Sequence, residues 1–468
     1  KADDVTAVLI ERPDLPKVEL KRGPGGGWRI EAAPPGRADA FTVDGLLADL
    51  GRLEVVGRVQ TEFDPKEYGL DAPRGKATVT LKDGTKKMIS FGKEIPGTDG
   101  TAASDGTRMA AVKLAPLAAL AKPLNEYRSK RLVDIPTAEI TRVTLAKGPN
   151  QIVLVREPGA GKTAGGTWRI ESPVADLASG PFVERLLADL SSAQISEFPA
   201  VSATDLARIG LAPPSALVTV QKGSEAVATL AFGAAKADVT GKIYAKCDSL
   251  VVVVDDRVME EIGKELLAFR ETRLLPLDVF RVRRVQFDAG ALRIGAEKVD
   301  GEWRSADRAP GSAFVEAFLG VLSRAESRGF VVKKDYAARG IVAGPKAVPV
   351  ATVEILEEGD VSPRVVTFFP AALGGAPAAV AAEVSGRPDA LLVEGTLLEN
   401  LKREATRLRD AAKEAPKPTP GPAAESSASA PASTPAPTPL ATPSTKTPRK
   451  TPAKAPTKAP AAAPATSS

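Results

Sequence analysis

The chain repeats one pattern of apolar positions three times. In each copy a tryptophan is followed by apolar residues at i, i+3, i+4 and i+7, the spacing that places side chains on one face of a helix. These stripes are Val43/Leu46/Leu47/Leu50, Val183/Leu186/Leu187/Leu190 and Val315/Phe318/Leu319/Leu322. The tryptophans, Trp28, Trp168 and Trp303, stand 140 and 135 residues apart. The pattern predicts a three-fold internal repeat in which a Trp-bearing strand packs against the following helix.

Turns and strands recur at matching places behind each predicted helix. Each copy has a glycine turn followed by strands whose apolar residues alternate, as in a half-buried sheet. The turns contain Tyr68-Gly69-Leu70, Ile209-Gly210-Leu211 and Gly340-Ile341; the next strands begin near Ala77, Ala216 and Val350; later strands close on Phe91-Gly92, Phe232-Gly233 and Phe369-Pro370. This order of elements predicts an antiparallel sheet in every copy.

A second helix is predicted at the end of each copy. Its clearest apolar stripe is Val258, Ile262, Leu266 and Phe269, and an Arg-Leu pair marks its end in all three copies. We therefore predict an α+β fold of three tandem repeats, each with antiparallel strands and two amphipathic helices. The units are placed at 1–135, 136–278 and 279–410, the third being divergent.

The last part of the chain, 411–468, has a different composition. Pro, Ala, Thr, Ser and Lys make up nearly all of it, and aromatic residues are absent. Such a sequence buries too little apolar surface to offset the entropy of ordering, which predicts a disordered tail. Seven basic and two acidic residues give the tail a charge of +5, the net charge of the whole chain, so residues 1–410 are neutral. The folded part should therefore have no net attraction to nucleic acid or anionic membrane.

Composition also limits the chemistry. The 468 residues include no histidine and one cysteine, Cys247. The commonest metal ligand and general base is therefore missing, and an internal disulfide or a cysteine-rich metal site is excluded. We predict no catalytic, cofactor-binding or metal-binding residues and no enzymatic activity. Cys247 is expected to be half-buried and inert.

Two segments formally match catalytic motifs. Gly159-Ala160-Gly161-Lys162-Thr163 is similar to a phosphate-binding loop, but Arg156 stands where the motif needs glycine, and a strand rather than a helix follows. Ser90-Phe91-Gly92-Lys93 has the serine-x-x-lysine spacing of penicillin-recognising enzymes, yet it lies at a strand end, and Ala231 replaces the serine in the next copy. We interpret the first as a hairpin loop and the second as a structural strand.

The charged clusters and the tryptophans each allow a structural and a functional interpretation. Asp255, Asp256, Glu260 and Glu261 are expected to complement a helix N-terminus, and a carboxylate cluster with its own chemistry is the alternative. Two arginine pairs are expected to contact helix C-termini, with phosphate or carboxylate binding as the alternative. These pairs are Arg128/Arg131 and Arg270/Arg273. The tryptophans are interpreted as core anchors rather than as ligand platforms.

The order of these motifs resembles the bacterial domain-of-unknown-function family numbered 4340. The shared order is Trp-x-Ile, a helix with paired leucines, Tyr-Gly-Leu-x-x-Pro, a strand ending in Asp-Gly, and Phe-Gly. Trp28 to Gly92 carries it best, Trp168 to Gly233 nearly as well, and the third copy departs at Gly340-Ile341 and Pro370. The resemblance, over roughly residues 5–410, implies an N-terminal membrane helix and a place beside ABC transporter components of the gliding-motility type. No catalytic residues are recognised for the family, so it implies none here.

One principal hypothesis and two alternatives follow. We expect a non-enzymatic cell-envelope accessory or scaffold protein, associated with an ABC-type transport system and contacting transporter-type membrane proteins. It is expected on the extracytoplasmic side of a bacterial membrane, anchored by a helix upstream of Lys1, with weak contact of the tail to anionic surfaces. The alternatives are binding of nucleic acid or another polyanion through the tail, and a carboxylate-based envelope enzyme.

Overall fold

A computed structural model describes the chain in eight stretches that end at Ala415. They are residues 2–23, 25–32, 34–113, 115–158, 166–305, 308–343, 347–371 and 379–415. Three antiparallel sheets of eight strands each are formed by these residues, one after another along the chain. We call each sheet, together with the helices packed against it, a module. The predicted tail from residue 416 onward and the loop Gly159–Thr163 lie outside the described residues.

Module 1 is a sheet with two helices. Its strands are β1 Val5–Arg12, β2 Leu15–Arg22, β3 Trp28–Ile30, β4 Gly36–Arg37, β5 Gly75–Leu81, β6 Lys86–Glu94, β7 Gly100–Ser104 and β8 Met109–Lys113. Its helices are α1 Ala40–Gly51 and α2 Ala115–Leu120. The strand order is β4-β3-β2-β1-β5-β6-β7-β8, so sequence neighbours pair everywhere except between β1 and β5. The chain leaves the sheet after the edge strand β4 to form α1, and it returns with β5 to pair beside β1.

Module 2 has the same strand order, β12-β11-β10-β9-β13-β14-β15-β16. Its strands are β9 Arg142–Lys147, β10 Asn150–Glu157, β11 Thr167–Ser172, β12 Asp176–Leu177, β13 Ala216–Lys222, β14 Glu225–Ala235, β15 Lys242–Cys247 and β16 Leu250–Asp255. Its helices are α3 Gly180–Ser192, α4 Val258–Ile262 and α5 Leu266–Phe269.

Module 3 differs at the edges of its sheet, whose order is β19-β18-β17-β21-β22-β23-β24-β20. Its strands are β17 Val282–Ala289, β18 Leu292–Val299, β19 Glu302–Arg304, β20 Gly329–Val331, β21 Ala351–Glu357, β22 Arg364–Ala371, β23 Ala379–Val384 and β24 Ala390–Glu394. Its helices are α6 Ser312–Ser323 and α7 Gly395–Glu414. Strand β20 extends a contact that module 1 makes through the isolated bridges Val55–Val112 and Gln60–Met109, and module 2 through Glu197–Val253.

Each module buries its tryptophan and its apolar stripe between helix and sheet, except that Leu50 of α1 is partly exposed. The four stripe residues of α3 have no exposed surface, and Trp168 is 2% exposed. Removing such side chains from water is worth about 1.5–3 kcal/mol each. The indole Nε1 of Trp168 donates to Glu184 Oε1 on α3 at 2.8 Å, which satisfies its polar atom inside the core. The predicted antiparallel α+β fold and the burial of the tryptophans are confirmed.

The repeated Gly-Leu turn and Phe-Gly pair have one structural cause. Gly69 adopts φ +67°, which favours glycine, and the turn brings the Tyr68 carbonyl against β6. The amide of Lys93 donates to that oxygen at 2.8 Å. A Cβ on Gly92 would lie 2.0 Å from the same oxygen, so no larger residue fits there without a backbone shift. Gly69 and Gly92 are therefore both required by the same structural feature, the close approach of the Tyr68 carbonyl to β6.

Strand register corrects the predicted alignment of module 3. Ala351 pairs with Phe368, as Gly75 pairs with Phe91, so Phe368 rather than Phe369 fills the core position. Pro370 then occupies the place of Lys93. Because proline has no N–H, it cannot make the hydrogen bond that fixes the Gly-Leu turn in the first two modules.

Two further predictions about the helices need correction. The stripe predicted as one helix from Val258 to Phe269 forms two short helices, because the chain turns extended at Glu265, just after the poor helix former Gly263. Composition predicts that the disordered tail begins at residue 411, whereas α7 continues through Glu414 and buries Ala412 against its module. The second helices thus have different lengths in the three modules.

Candidate functional site

Extended linkers join the modules by backbone hydrogen bonds on both sides. The first linker, Tyr127–Asp134, pairs with the edge of module 1, where Ser129 N–H donates to the Arg37 carbonyl at 3.0 Å. Directly afterwards it pairs with module 2, where Ile195 N–H donates to the Lys130 carbonyl at 2.7 Å. The linker is therefore a short shared strand and not a free tether.

The second linker, Phe269–Pro276, repeats this arrangement between modules 2 and 3. Glu271 N–H donates to the Leu177 carbonyl of β12 at 3.0 Å, and Leu274 N–H donates to the Ala325 carbonyl behind α6 at 2.8 Å. Both linkers also send two apolar residues into the core of the module that follows. These are Leu132 and Val133 for module 2, and Leu274 and Leu275 for module 3.

We call the contact between modules 1 and 2 the first joint and the contact between modules 2 and 3 the second joint. A buried ionic cluster lies at the second joint. It consists of Asp176 on β12, Arg270 on the linker, and Arg387 and Asp389 on the β23–β24 turn. Asp176 has no exposed surface, and the other three side chains belong to residues that are 6–9% exposed. Arg387 holds Asp176 with two bonds of 3.0 and 3.2 Å, while Arg270 donates to Asp176 at 2.7 Å and to Asp389 at 2.8 Å. Two positive and two negative charges thus balance across modules 2 and 3.

Arg387 also binds the linker backbone itself. Its guanidinium donates to the carbonyl of Glu271 at 2.6 Å and to that of Arg273 at 3.2 Å. The ring of Phe330 lies against both guanidiniums of the cluster, 3.8 Å from that of Arg270 and 5.4 Å from that of Arg387. The charge-assisted hydrogen bonds and the ring of Phe330 therefore hold the two guanidiniums and the linker backbone in fixed positions.

The first joint uses different side chains at the same places. Gly36 takes the position of Asp176, and a Cβ there would lie 2.6 Å from Leu250 of module 2. Arg128, the counterpart of Arg270, is 2% exposed and donates to the Pro34 carbonyl at 2.8 Å and to Asn125 Oδ1 at 3.2 Å. Burial lowers the pKa of the Arg128 guanidinium. This joint therefore contains packed apolar surface where the second joint contains an ion pair.

Arg37 connects the first joint to Cys247. Its Nη2 donates to the Leu132 carbonyl at 2.6 Å and lies 3.0 Å from Cys247 Sγ. Cys247 is 4% exposed, and burial raises the pKa of its thiol. The thiol lies deeper than the half-buried position expected from the sequence, since the linker crosses directly over it.

The predicted reason for the repeated arginines is wrong. Arg128 and Arg270 follow very short helical turns, but the guanidinium of Arg128 binds the Pro34 carbonyl of module 1 and that of Arg270 binds Asp389 of module 3, and not the carbonyls of a helix C-terminus. Arg131 and Arg273 instead pair with nearby acidic residues of their own linker at 3.9 and 2.7 Å. The Arg-x-x-Arg-Leu sequence common to the two linkers was the available signal. It encodes a joint, which spacing alone does not distinguish from a helix end.

The other candidate residues do not form a reactive site. Ser90 lies within β6, and the carboxylates near α4 separate toward different partners, with Asp255 beside Lys242 and Glu261 beside Arg185. In the described part of the chain, no three Cys, Asp or Glu side chains meet in a group that could hold a metal ion. Nor does any helix among those residues have the length and apolar character needed to span a bilayer.

The fold and its joints define a modular array of antiparallel α+β sheets held by shared linker strands. The chain belongs to the family described as domain of unknown function DUF4340, whose model matches residues 28–167 and 168–342. Both matches begin at a tryptophan, Trp28 or Trp168; the first ends directly before Trp168, and the second continues past Trp303 to residue 342. No curated protein and no solved structure matches the chain.

Proposed function

We propose that this chain is a non-enzymatic scaffold or accessory protein of the cell envelope that works through protein contacts with an ABC-type transport system. The construction of the joints is the observation that carries the proposal. Shared linker strands and the ionic cluster hold the three sheets together, which suits a protein that presents several surfaces at fixed spacing.

The proposal includes a common origin for the three modules. Two of them have the same strand order, and all three place a tryptophan, an apolar helix and a Gly turn at matching positions. We infer three tandem repeats built on two amphipathic helices each, with the closing helix shortened in modules 1 and 2 and extended to twenty residues in α7. Divergence of this element gives each module a different outer surface.

Placement at the membrane is the second part of the proposal. Family resemblance supports an N-terminal membrane helix ahead of the modules, on the extracytoplasmic side, and transporter-type membrane proteins as partners. Fractionation of cells that express the full-length gene product tests this placement. Recovery with the membrane, together with cleavage of the modules by protease added outside the cytoplasmic membrane, is the expected result. A soluble cytoplasmic product would refute it.

Capture of partners tests the scaffold role itself. The full-length protein is cross-linked in the native cell and purified, and transporter-type membrane proteins are expected among the products. An Arg387→Glu variant, which places a carboxylate against Asp176 and separates modules 2 and 3, should lose partners that contact both modules. Asp134→Asn, at an exposed pair of 3.9 Å, is the matched control and should retain them. Equal capture by both variants would show that rigid spacing is irrelevant.

Nucleic-acid binding by the tail is the outcome that would favour the polyanion-binding alternative. All the net charge of the chain lies in residues 411–468. If nucleic acid bound tightly at low salt, weakened steeply as salt rose and was lost on deletion of residues 416–468, the polyanion-binding alternative would replace the scaffold proposal.

A further inference from the structure

The two joints make the same backbone hydrogen bonds to the preceding module and differ in their side chains. Ser129 N–H donates to the Arg37 carbonyl at the first joint, and Glu271 N–H donates to the Leu177 carbonyl at the second, both at 3.0 Å. A second pair of bonds, both of 2.8 Å, matches as well: Asp39 N–H to the Tyr127 carbonyl, and Ser179 N–H to the Phe269 carbonyl. A difference in strength between these two contacts therefore has to come from the side chains.

At the second joint the buried charges neutralise one another across the contact. Arg387 of module 3 donates to Asp176 of module 2 at 3.0 Å, and Arg270 of the linker donates to Asp389 of module 3 at 2.8 Å. Separation of modules 2 and 3 breaks both of these pairs. Charge-assisted hydrogen bonds of this kind oppose the separation.

At the first joint one buried charge has no partner of opposite sign. Arg128 is 2% exposed, and it donates to the Pro34 carbonyl and to Asn125 Oδ1, which both belong to module 1. Its Nη1 is buried and has no hydrogen-bond partner within the described stretches, where no carboxylate pairs with Arg128 either. Burial of such a guanidinium is costly, because its water is removed and no opposite charge replaces it.

Module 2 covers Arg128 without accepting a hydrogen bond from it. A Cβ on Gly36 would lie 2.6 Å from the Leu250 side chain and 3.1 Å from Arg128 Nη1, so these two side chains meet at this glycine. The ring of Phe198 lies 5.9 Å from the guanidinium, near the outer limit of a cation–π contact. Separation of module 2 therefore returns Arg128 to water and breaks none of the hydrogen bonds that it makes.

Other side chains hold the first joint closed. Arg37 donates to the Leu132 carbonyl at 2.6 Å, and Ser249 donates to the Pro35 carbonyl at 2.8 Å. Arg37 also faces Asp248 at 3.9 Å, but the side chain of Asp248 is 42% exposed, so water screens this pair. The closed state of the first joint thus depends on hydrogen bonds to neutral carbonyls, and it includes the cost of burying Arg128.

We propose that the first joint is a hinge, at which module 1 separates from module 2 and docks again while modules 2 and 3 stay together. The chain turns between Tyr127, which is buried in the core of module 1, and Leu132, which is buried in the core of module 2. Opening relieves the burial of Arg128, and closure restores the bonds of Ser129 and Arg37. This inference goes beyond the scaffold function, which requires no joint to open, and it states which spacing in the array changes.

Amide exchange under native conditions compares the two joints directly. Ser129 N–H and Glu271 N–H make equivalent hydrogen bonds, so their protection reports the opening of the first and the second joint respectively. In the full chain, the protection factor of Ser129 should be at least about tenfold lower than that of Glu271. Equal protection, or stronger protection of Ser129, would overturn the hinge.

Two arginine variants of the first joint should act in opposite directions. Arg128→Met retains an apolar stem and removes the buried charge, and the exposed Pro34 carbonyl can bind water instead. It should raise the protection factor of Ser129 at least about tenfold. Arg37→Met, the matched control, removes an arginine that bonds across the joint and should lower that protection factor about tenfold. Lower protection in Arg128→Met would show that the arginine stabilises the joint, against the proposal.

Distances between matched hairpin tips distinguish separation of the modules from local fraying of the linker. Spin labels are placed in a Cys247→Ser background at three exposed turn residues: Thr85 between β5 and β6, Ser224 between β13 and β14, and Ser362 between β21 and β22. The distance distribution of the 85/224 pair should be broad and should narrow in Arg128→Met, whereas that of the 224/362 pair should be narrow in both. A narrow distribution for both pairs in the parent would refute the hinge, even if Ser129 exchanged rapidly.

Discussion

The ionic cluster between modules 2 and 3 allows the strongest test of how the array is held together. Replacement of Asp176 by Asn keeps the size of the side chain and removes its charge. The four-residue cluster then changes from neutral to a net charge of +1, in a site where Asp176 itself has no exposed surface. Arg270 retains Asp389 at 2.8 Å, but Arg387 loses the carboxylate to which it donates twice.

The expected loss of stability is about 3–5 kcal/mol, the usual cost of leaving one member of a buried ion pair without its partner. The loss should fall on modules 2 and 3, because Asp176 belongs to β12 and Arg387 to the β23–β24 turn. Each module contains one tryptophan, so urea unfolding followed by fluorescence can assign the transitions. Versions that retain only Trp28, Trp168 or Trp303, with the other two replaced by Phe, report on modules 1, 2 and 3 respectively, and Asp176→Asn is compared with Asp176 within each version.

Controls decide whether the charge or the shape of the cluster is responsible. Asp134→Asn removes a carboxylate from an exposed pair of 3.9 Å and should cost less than about 1 kcal/mol. Asp176→Leu combined with Arg387→Met fills the same space with apolar groups and should recover much of the loss. If Asp176→Asn alone cost less than about 1 kcal/mol, the cluster would not stabilise the joint, and the reasoning from burial would be wrong.

Three further predictions concern the modules themselves. Trp168→Ala should cost roughly 3–5 kcal/mol in urea unfolding, because the indole is 2% exposed; a shift near zero would remove it from the core. Gly92→Ala should cost about 1–3 kcal/mol through the clash with the Tyr68 carbonyl, whereas Gly45→Ala on α1, with open space around it, should gain about 0.5–1 kcal/mol; similar values for the two would contradict the close approach. Cys247 should react with a thiol reagent far more slowly in the native protein than in denaturant, because burial raises its pKa and the first linker covers it; equal rates would show that the joint opens freely.

The sequence predicted the elements of each module well because their signals are local. The stripe from Val183 to Leu190 and the tryptophan before it were sufficient to place α3 and its packing partner. The Gly-Leu turn was also recognisable, since a positive φ at Gly69 is a local requirement. The predicted closing helix of module 2 failed because its apolar spacing continues through Gly263, and spacing does not record a break in the backbone.

The joints were not predictable in the same way because their partners are far apart in the chain. Asp176 and Arg387 are separated by 211 residues, and local patterns of apolar residues and turns contain no information on this pairing. The repeated motif that contains Arg270 predicts a helix end, because the nearest apolar pattern is helical. A long-range ion pair can be predicted only when the topology is known, and here β12 and the β23–β24 turn belong to two different sheets.

The linkers explain why the modules form a single array rather than three independent domains. Leu132 belongs to the core of module 2 although it directly follows the closing segment of module 1. The same few residues pair with the edge of the preceding module through Ser129, so neither module has a complete hydrogen-bonded edge or core alone. Each joint is therefore also a strand-addition site, occupied within the chain.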